Sequence, residues 1–375
     1  MTDHRDSLES LNNAVPLQEK IVAAHQSVQE TFPFIVRIAI ALYDEETETL
    51  STYLHSSGGD NPLDHYQASM SEAPSLQALL EKGLPRVVND QVTFEDGEHE
   101  HTVRIGRAGY AASYTMPMFD QGRFIGFIFF NSDEKSVFSE NVLREIDLYG
   151  HLIALMVINE LTAVETLSAA VRTTGSISHV RDPETGSHLD RMSRYSRLIA
   201  TELADKYELD DNYIEHVFMF SPLHDIGKVG IPDSVLLKPG KLDEEELKVM
   251  RDHARKGEQI IDDLIENFGL DNFEYKEVLR NIAACHHEAM DGSGYPRGMQ
   301  GDEIPLEARI VAVADVFDAL TSKRPYKEAW SNETAVATLM ELAGESLDQD
   351  CVDALLSRMS EVEAIQTRFA EDSLG

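Results

Sequence analysis

The first third of the chain has the hydrophobic pattern of β-strands. Two β-rich segments flank the polar turn at residues 44–48, which is the pattern of an antiparallel hairpin. A second pair, SYTMPMF and RFIGFIFF, is joined by a tight turn at 120–122. Between the pairs, LQALLEKG predicts a short helix ending at Gly83, and RVVND predicts another strand. These elements predict an α+β sheet domain.

A long helix is predicted after the sheet, over residues 141–171. Two interpretations of its apolar seam stay open. The seam packs against the helix's own domains, or it forms a parallel dimer that couples them, and we expect the dimer. The apolar residues recur at spacings of three, four or seven: Ile146, Tyr149, Ile153, Val157, Leu161, Val164 and Val171.

After about residue 173 the strand pattern gives way to helical patterns separated by short loops. One of the longest, DEEELKVMRDHARKGEQIIDDLIENF, has a continuous helical pattern. The sequence therefore predicts a sheet domain over 1–140, a connecting helix over 141–172 and an all-α domain over 173–375.

Composition agrees with two globular domains, since the chain has 375 residues and 42% hydrophobic content. The formal net charge of -35 predicts a broadly acidic surface, which argues against binding of nucleic acid. An anionic substrate would need a local region of positive charge. Bound divalent cations provide such a region inside one cleft.

Cysteine content and hydropathy indicate the compartment. The two cysteines, Cys285 and Cys351, are too few for a disulfide framework or a thiolate metal site. Apolar stretches are interrupted by polar or charged residues before they reach membrane-spanning length. We expect a soluble cytoplasmic protein with no membrane insertion.

Histidines in the helical half are the main candidates for chemistry. A single histidine on a helix face is more often a core or surface residue than a ligand. Several histidines with adjacent acids instead predict a metal site. Five of the fourteen histidines have this setting: His188, His224, His253, His286 and His287.

Local spacing supports metal ligation. His224 and Asp225 are sequential near a predicted helix end, and adjacent helical positions point about 100° apart. Both side chains can therefore ligate if the Asp225 carboxylate bridges two ions. Glu184 and His188 are four residues apart, which places them on one helical face or turn.

Two further places complete the candidate site. His286 and His287 form a second sequential pair, in which one residue can serve each of two ions. Asp315 lies in the apolar helix ARIVAVADVFDAL, where an unpaired carboxylate is costly to bury, so it needs a cation. Asp318 is three residues further on, and we expect it to support the site or cap a helix rather than to bind metal.

Five segments together resemble a known family in order and spacing. They resemble the HD-GYP phosphodiesterases of cyclic di-GMP, and the triplet Gly294, Tyr295, Pro296 distinguishes that family from other HD hydrolases. The N-terminal half resembles a GAF domain in its strand and helix order. The five segments are ETGSHLDR (184–191), HDIGK (224–228), HARKGEQI (253–260), HHEAMDGSGYP (286–296) and ADVFDALTSKRPYK (314–327).

The resemblance implies an HD-type helical fold that binds two or three divalent metal ions, commonly iron, with manganese as the alternative. In this family a glutamate at the position of Glu184 goes with a third metal, so we expect a trinuclear site. The implied ligands are Glu184, His188, His224, Asp225, His253, His286, His287 and Asp315.

The resemblance also implies catalytic and substrate-binding roles. Asp225 would bridge the metals, and Lys228 would lie near the scissile phosphate, unless it is an ordinary cation at a helix end. Arg324 and Lys327 would contact the phosphates of the dinucleotide. Gly294, Tyr295 and Pro296 would approach the ligand, with the tyrosine ring stacked on guanine, although the glycines also suit a plain turn.

The implied function is hydrolysis of cyclic di-GMP to linear pGpG and further to GMP, regulated by the GAF-like domain through a dimeric helix. Two alternatives stay open. One is a phosphodiesterase for cyclic GMP-AMP. The other is a metal-binding signalling module that senses the dinucleotide, or recruits a diguanylate cyclase of the GGDEF type, without hydrolysing anything.

Overall fold

The computed structural model divides the chain into two compact units, residues 1–163 and 164–375. Each unit has its own hydrophobic core. The structure describes residues 6, 8–58, 61–90, 104, 108–177, 186–268, 275–322 and 329–370.

The N-terminal unit is built on a six-stranded sheet with the strand order β3-β2-β1-β6-β5-β4, in which all neighbouring strands are antiparallel. The predicted α+β fold class is confirmed for this half of the chain. Its elements are α1 (Leu17–Thr31), β1 (Ile35–Asp44), β2 (Thr49–Ser57), β3 (Gln67–Ser69), α2 (Pro74–Lys82), β4 (Arg86–Val88), β5 (Ala112–Asp120) and β6 (Arg123–Ser132).

Local sequence explains the turns of this sheet. Gln121 and Gly122 both have positive φ, at 48° and 91°, in the two-residue turn between β5 and β6. Such a turn matches the twist of antiparallel strands. Helix α2 ends at Gly83, whose φ of 61° allows its N–H to bond the carbonyls of Leu79 and Leu80.

The two faces of the sheet pack against different helices. Ile38 and Ile40 of β1 face α1, and Ala41 lies in a second cluster that includes Leu76 and Leu79 of α2. Alternation along the strand therefore gives both faces an apolar layer.

The predicted long helix is present as α3, Glu140–Ile177. Its seam residues Ile146, Ile153 and Val157 are fully buried in the core of the N-terminal unit. The expected use of this seam for a dimer is therefore wrong for these three residues, because they already pack within their own unit. In the described part of the helix, the exposed large apolar side chains are instead Leu148 and Leu155, at 71% and 66%.

Helix α3 also bears on the membrane question. Within the described ranges, only Glu140–Thr166 is long and apolar enough to cross a membrane by length and composition. One helix of this kind is weak support for a span, because the core helix of a soluble protein passes the same test.

The C-terminal unit is built from helices, so the predicted all-α HD-type domain is confirmed. Short 3-10 segments at Ser221–Leu223 and Ile226–Gly230 follow the second of these helices. The helices are α4 (Gly186–Tyr207), α5 (Asp211–Phe220), α6 (Asp233–Leu236), α7 (Glu244–Arg251), α8 (His253–Phe268), α9 (Lys276–Cys285), α10 (Leu306–Thr321), α11 (Asn332–Leu342), α12 (Gln349–Ser357) and α13 (Met359–Arg368).

The structure divides one of the predicted helices into two helices. The continuous pattern over 243–268 is interrupted at Asp252, between α7 and α8. The Nδ1 of His253 lies 2.7 Å from the Met250 carbonyl oxygen and so hydrogen-bonds a carbonyl near the end of α7. The interruption sets the first residue of α8 at the candidate site.

A single apolar core joins the helices that carry the candidate site. Met192 and Tyr195 of α4, Phe220 of α5 and Phe317 of α10 are all fully buried in it. These contacts fix the helices relative to one another, and the candidate ligands lie at their ends or on their inner faces.

Candidate metal centre

The candidate ligands lie on three helices and in two connections of the C-terminal unit. His188 is in the first turn of α4, and His253 is the first residue of α8. His224 and Asp225 lie between the two 3-10 segments that follow α5. The remaining three are His286 and His287, directly after α9, and Asp315 on α10.

The fold brings seven of the predicted ligands into two groups. In each group the possible ligand atoms all lie within 4.8 Å of one another. The first group is Asp225, His253, His286 and His287, and the second is His188, His224 and Asp315. His286 and His287 therefore lie in the same group. This grouping favours ligation of one ion by both residues, whereas the sequence predicted that each would serve a separate ion.

Asp225 lies between the histidines of both groups. Its Oδ2 is 3.1 Å from Nε2 of His224, and its Oδ1 is 3.1 Å from Nε2 of His253. The same Oδ1 is 3.8 Å from Nε2 of His286. Each carboxylate oxygen thus faces a different set of imidazoles, which is the arrangement of a bridging carboxylate.

The second ring nitrogen of these histidines is held by the backbone. Nδ1 of His224 lies 3.0 Å from the Ser221 carbonyl oxygen, and Nδ1 of His286 lies 2.9 Å from that of Ile282. His253 makes the corresponding bond to Met250. A carbonyl only accepts, so Nδ1 carries the proton and Nε2 presents a lone pair toward Asp225, the tautomer that binds metal.

His188 is oriented by a side chain instead. Its Nδ1 lies 2.7 Å from Oδ2 of Asp318, which is fully buried. Arg191 donates to both oxygens of the same carboxylate, at 2.6 Å and 2.9 Å. Burial raises the pKa of Asp318, but the bonds from His188 and Arg191 outweigh it and keep the pKa below its ordinary value.

The polar atoms at the centre fit a bound cation. Asp225 Oδ1, His253 Nε2 and His286 Nε2 are buried, and within the described residues none of them makes a hydrogen bond of acceptable geometry. Unsatisfied buried polar atoms are costly, and a cation between them would satisfy all three. Mixed imidazole and carboxylate donors suit iron, manganese or zinc.

Charge at the centre is consistent with deprotonated ligands. Burial raises the pKa of Asp225, but the Lys228 ammonium and the His224 ring hold it well below the usual value. Burial lowers the pKa of His286 and of His287, and the neighbouring rings lower that of His287 further. A carboxylate anion beside neutral imidazoles is the state that ligates divalent ions.

Gly227 allows the HDIGK segment to approach α8. A Cβ atom at this position would lie 1.8 Å from the His253 carbonyl oxygen and 2.5 Å from the Gly257 nitrogen. Only glycine permits this approach, which sets Asp225 beside His253.

The Gly294–Tyr295–Pro296 loop lies against the first ligand group. The ring centroids of Tyr295 and His287 are 4.7 Å apart. A Cβ on Gly294 would lie 2.5 Å from the Glu288 Cα, so glycine is required for this close packing. The exposed Pro296 follows Tyr295 through a cis peptide bond.

Two cationic side chains face this region. Lys228 Nζ is 2.8 Å from Oδ2 of Asp225, in an i,i+3 ion pair. The Arg251 guanidinium lies 5.1 Å from the centroid of the Tyr295 ring. Three other predicted site residues, Glu184, Arg324 and Lys327, lie outside the described residues.

Sequence reasoning missed two supporting residues. Glu288 is buried beside His287 and accepts hydrogen bonds from the backbone N–H groups of Arg297 and Met299, at 2.7 Å and 2.9 Å. Arg191 holds Asp318. Only their positions in the sequence could have indicated them. Glu288 directly follows His287, and Arg191 is three residues after His188.

Comparison with known proteins gives the class of the C-terminal half. Residues 183–351 match the family model described as HD domain. The matched range includes every candidate ligand named above. An HD domain with a converging set of histidines and carboxylates is therefore present in this chain.

The chain is similar to curated phosphodiesterases of cyclic dinucleotides. It is 46% identical over 230 residues to the cyclic di-GMP phosphodiesterase response regulator RpfG of Xanthomonas campestris, covering 61% of this chain and 57% of that protein. It is 38% identical over 259 residues to 3'3'-cGAMP-specific phosphodiesterase 2 of Vibrio cholerae, covering 65% and 48%. The predicted family resemblance is confirmed.

Two further similarities complete the comparison. The cyclic di-GMP phosphodiesterase of Thermotoga maritima is 38% identical over 196 residues, covering 52% of this chain and 50% of that protein. The solved GAF domain/HD domain protein from Geobacter sulfurreducens is 15% identical with a TM-score of 0.31, covering 39% of this chain and 95% of that one. The chain spans about half the length of the curated relatives it matches.

Proposed function

We propose that this protein is a metal-dependent phosphodiesterase of cyclic dinucleotides. The observation that carries the proposal is the convergence of histidine and carboxylate donors in two groups around Asp225, with four of the five histidines held through their other ring nitrogen. Metal-ligating histidines usually donate the other ring N–H to a carbonyl or carboxylate, which fixes the ring and directs the free nitrogen at the ion.

The ligand set would comprise the seven residues of the two groups together with Glu184. Bound divalent ions supply Lewis acidity and lower the pKa of a coordinated water, so no nucleophilic side chain is required. Two groups suit two ions, with Asp225 of the first group 3.1 Å from His224 of the second, and Glu184 would contribute to a third ion. Iron is the metal we propose, with manganese as the alternative.

Neighbouring side chains would bind the substrate. Lys228, beside Asp225, would neutralise charge on the scissile phosphate. Tyr295 presents an aromatic ring at the edge of the centre, which suits stacking on a guanine base. Arg324 and Lys327 would contact the remaining phosphate. In a chain with a net charge of -35, such cations would favour anion binding locally.

Cyclic di-GMP is the substrate we propose, with linear pGpG and then GMP as products. Support comes from relatives that carry this activity in their names. The second candidate is 3'3'-cGAMP, because three other relatives are named as specific for it.

The test is hydrolysis by protein purified without oxygen and loaded separately with iron and manganese. We expect release of pGpG from cyclic di-GMP in excess of any product from 3'3'-cGAMP. Faster cleavage of 3'3'-cGAMP would select the second substrate. If neither dinucleotide is cleaved by either metal form but one still binds, the protein is a non-hydrolytic signalling module and the proposal fails.

Regulation would come from the N-terminal domain over 1–140 through the helix over 141–172. The exposed Leu148 and Leu155 are seven residues apart and so lie on one face of α3, which suits a parallel helix pair between two copies. The protein partners that we propose are diguanylate cyclases of the GGDEF type. The location that we propose for the protein is the cytoplasm.

A further inference from the structure

The N-terminal unit contains a cavity that the proposed hydrolase activity does not use. It lies between the sheet and α2 and encloses about 820 Å³ of empty space, including the part open to solvent. The enclosed part measures about 80 Å³. One water needs roughly 10–15 Å³ on the same measure, so the cavity has room for a small organic molecule. Most of its wall is apolar and includes Ala41, Leu50, Leu76 and Phe129.

A buried arginine lies in the wall of this cavity. Arg37 of β1 is 1% exposed, and its guanidinium donates to Oδ1 of Asn61 and to Oδ1 of Asn131, at 2.7 Å and 2.9 Å. Both acceptors are neutral amides, and Arg37 forms no ion pair with any carboxylate of the described residues. Burial lowers the pKa of Arg37 to about 10, and Tyr110 and Asp64 only partly offset this effect.

A second arginine reaches the same cavity from β4. Arg86 is half-buried, and its Nε atom is fully buried without a hydrogen bond to any described residue. Thr115 of β5 is paired with Arg86 across the two strands and is 1% exposed. Its hydroxyl also lacks a hydrogen-bond partner within the described part of the chain.

These groups together define the chemistry of a missing partner. A buried cation without a counter-charge is strongly unfavourable, and an unsatisfied donor in an apolar wall is unfavourable as well. A guanidinium fork matches the two oxygens of a carboxylate or phosphate, and the apolar wall suits an apolar body. One ligand with both features would satisfy Arg86 and Thr115 and neutralise Arg37.

We propose that this cavity binds a small organic anion, through a carboxylate or phosphate held by Arg37, Arg86 and Thr115. The need for an anion at this cavity does not depend on the metal centre, because all three residues lie on the N-terminal sheet. This proposal can therefore be correct or wrong independently of the phosphodiesterase proposal.

The test is isothermal titration calorimetry of the full metal-loaded chain with three probes of similar size: benzoate, phenyl phosphate and the neutral benzamide. We expect at least one anion to bind and benzamide not to bind. Binding of benzoate alone would assign a carboxylate ligand, and binding of phenyl phosphate alone would assign a phosphate ligand.

Arg86→Met is the informative variant, because the buried Nε of Arg86 makes no hydrogen bond to any described residue, so its loss removes no native hydrogen bond of that atom. We expect it to weaken anion binding by about tenfold or more, as for loss of a charge-assisted hydrogen bond. Arg86→Lys should restore part of the affinity, and Arg123→Met, at the exposed start of β6, should have no effect.

Two results would overturn the proposal. One is anion binding no tighter than that of benzamide. The other is anion binding that Arg86→Met leaves unchanged, since this would locate the anion at another site, such as the metal centre.

Discussion

At the scale of single residues, the orientation of four imidazoles depends on an acceptor atom that does not face the candidate centre. Asp318 is the clearest case, because it contacts His188 and Arg191 but lies on the far side of the His188 ring from the centre. An anionic acceptor at Nδ1 keeps the proton there and the Nε2 lone pair directed at the site.

We predict that Asp318→Asn lowers metal affinity by roughly 10- to 100-fold, the usual effect of losing such a supporting group. The amide can present its oxygen to Arg191 or to His188, but an N–H turned toward His188 would move the ring proton to Nε2 and block ligation. Chelator competition at pH 7.5 would measure the affinity, with circular dichroism to verify folding.

Ser322→Ala is the matched control for this change. Ser322 donates to Oδ2 of Asp318 at 2.9 Å without touching His188, so its loss should leave metal affinity nearly unchanged. Unaltered metal affinity in folded Asp318→Asn protein would show that Asp318 does not position His188.

Several residues of the candidate site were predictable from local chemistry. Asp225 was expected to bridge because it follows His224 directly, and Asp315 was expected to pair with a cation because it lies in an apolar helix. Contacts between distant segments were not predictable. The Glu288 bonds to 297 and 299, and the close approach of Gly227 to His253, depend on chain folding that no local pattern encodes.

At the scale of elements, α5 carries a buried histidine outside the metal centre. His216 is 1% exposed, its Nδ1 bonds the Asn212 carbonyl oxygen, and its ring stacks on Tyr275 at 4.4 Å. Burial lowers the pKa of His216 from 6.5 to about 4, and the bond to Asn212 offsets this only in part.

We predict that His216 makes the C-terminal unit acid-sensitive. Below pH 6.5 the unfolded chain binds a proton that the folded chain does not, so stability is full above 6.5 and is lost as the pH falls toward 4. Between pH 7.5 and pH 5 the loss from this residue is about 2 kcal/mol.

His216→Phe cannot titrate, so the stability gap between wild type and variant should change by that amount in the variant's favour at pH 5. Urea unfolding at both pH values measures the gap. Metal ligands also lose metal in acid, but they do so in both proteins and cancel in the difference. A gap that is the same at both pH values would contradict the assigned burial effect.

The sequence predicted where helices occur better than it predicted the residues at which they begin and end. Hydrophobic periodicity alone ran through Asp252, where the structure separates α7 from α8 with a histidine-to-carbonyl bond. The same periodicity identified the seam of α3 but not its partner. Ile146, Ile153 and Val157 pack on the sheet of their own unit, since an apolar stripe does not specify which surface covers it.

At the scale of the whole molecule, the exposed face of α3 determines whether two copies associate. We predict that the protein forms a dimer through this face. The double variant Leu148→Glu, Leu155→Glu should weaken the dimerisation affinity by more than about tenfold, because like charges would face each other across a parallel helix pair. Sedimentation equilibrium over a range of concentrations measures this.

Leu84→Glu is the matched control, since Leu84 is also exposed, at 63%, but lies outside α3. The proposed coupling would be ruled out if the wild-type protein stays monomeric at all concentrations or if the double variant associates as tightly as wild type.

The central claim is that one carboxylate, Asp225, joins two groups of histidines into a catalytic metal centre. The most direct measurement is metal content per chain together with cyclic di-GMP turnover, on wild-type protein and on Asp225→Ala protein that is shown to be folded. Lys228→Ala serves as the comparison, because it alters a neighbouring charge without removing a ligand. We predict that Asp225→Ala loses bound metal and turnover together, whereas Lys228→Ala keeps its metal and hydrolyses more slowly. Full metal content and full turnover in the Asp225→Ala protein would contradict the account.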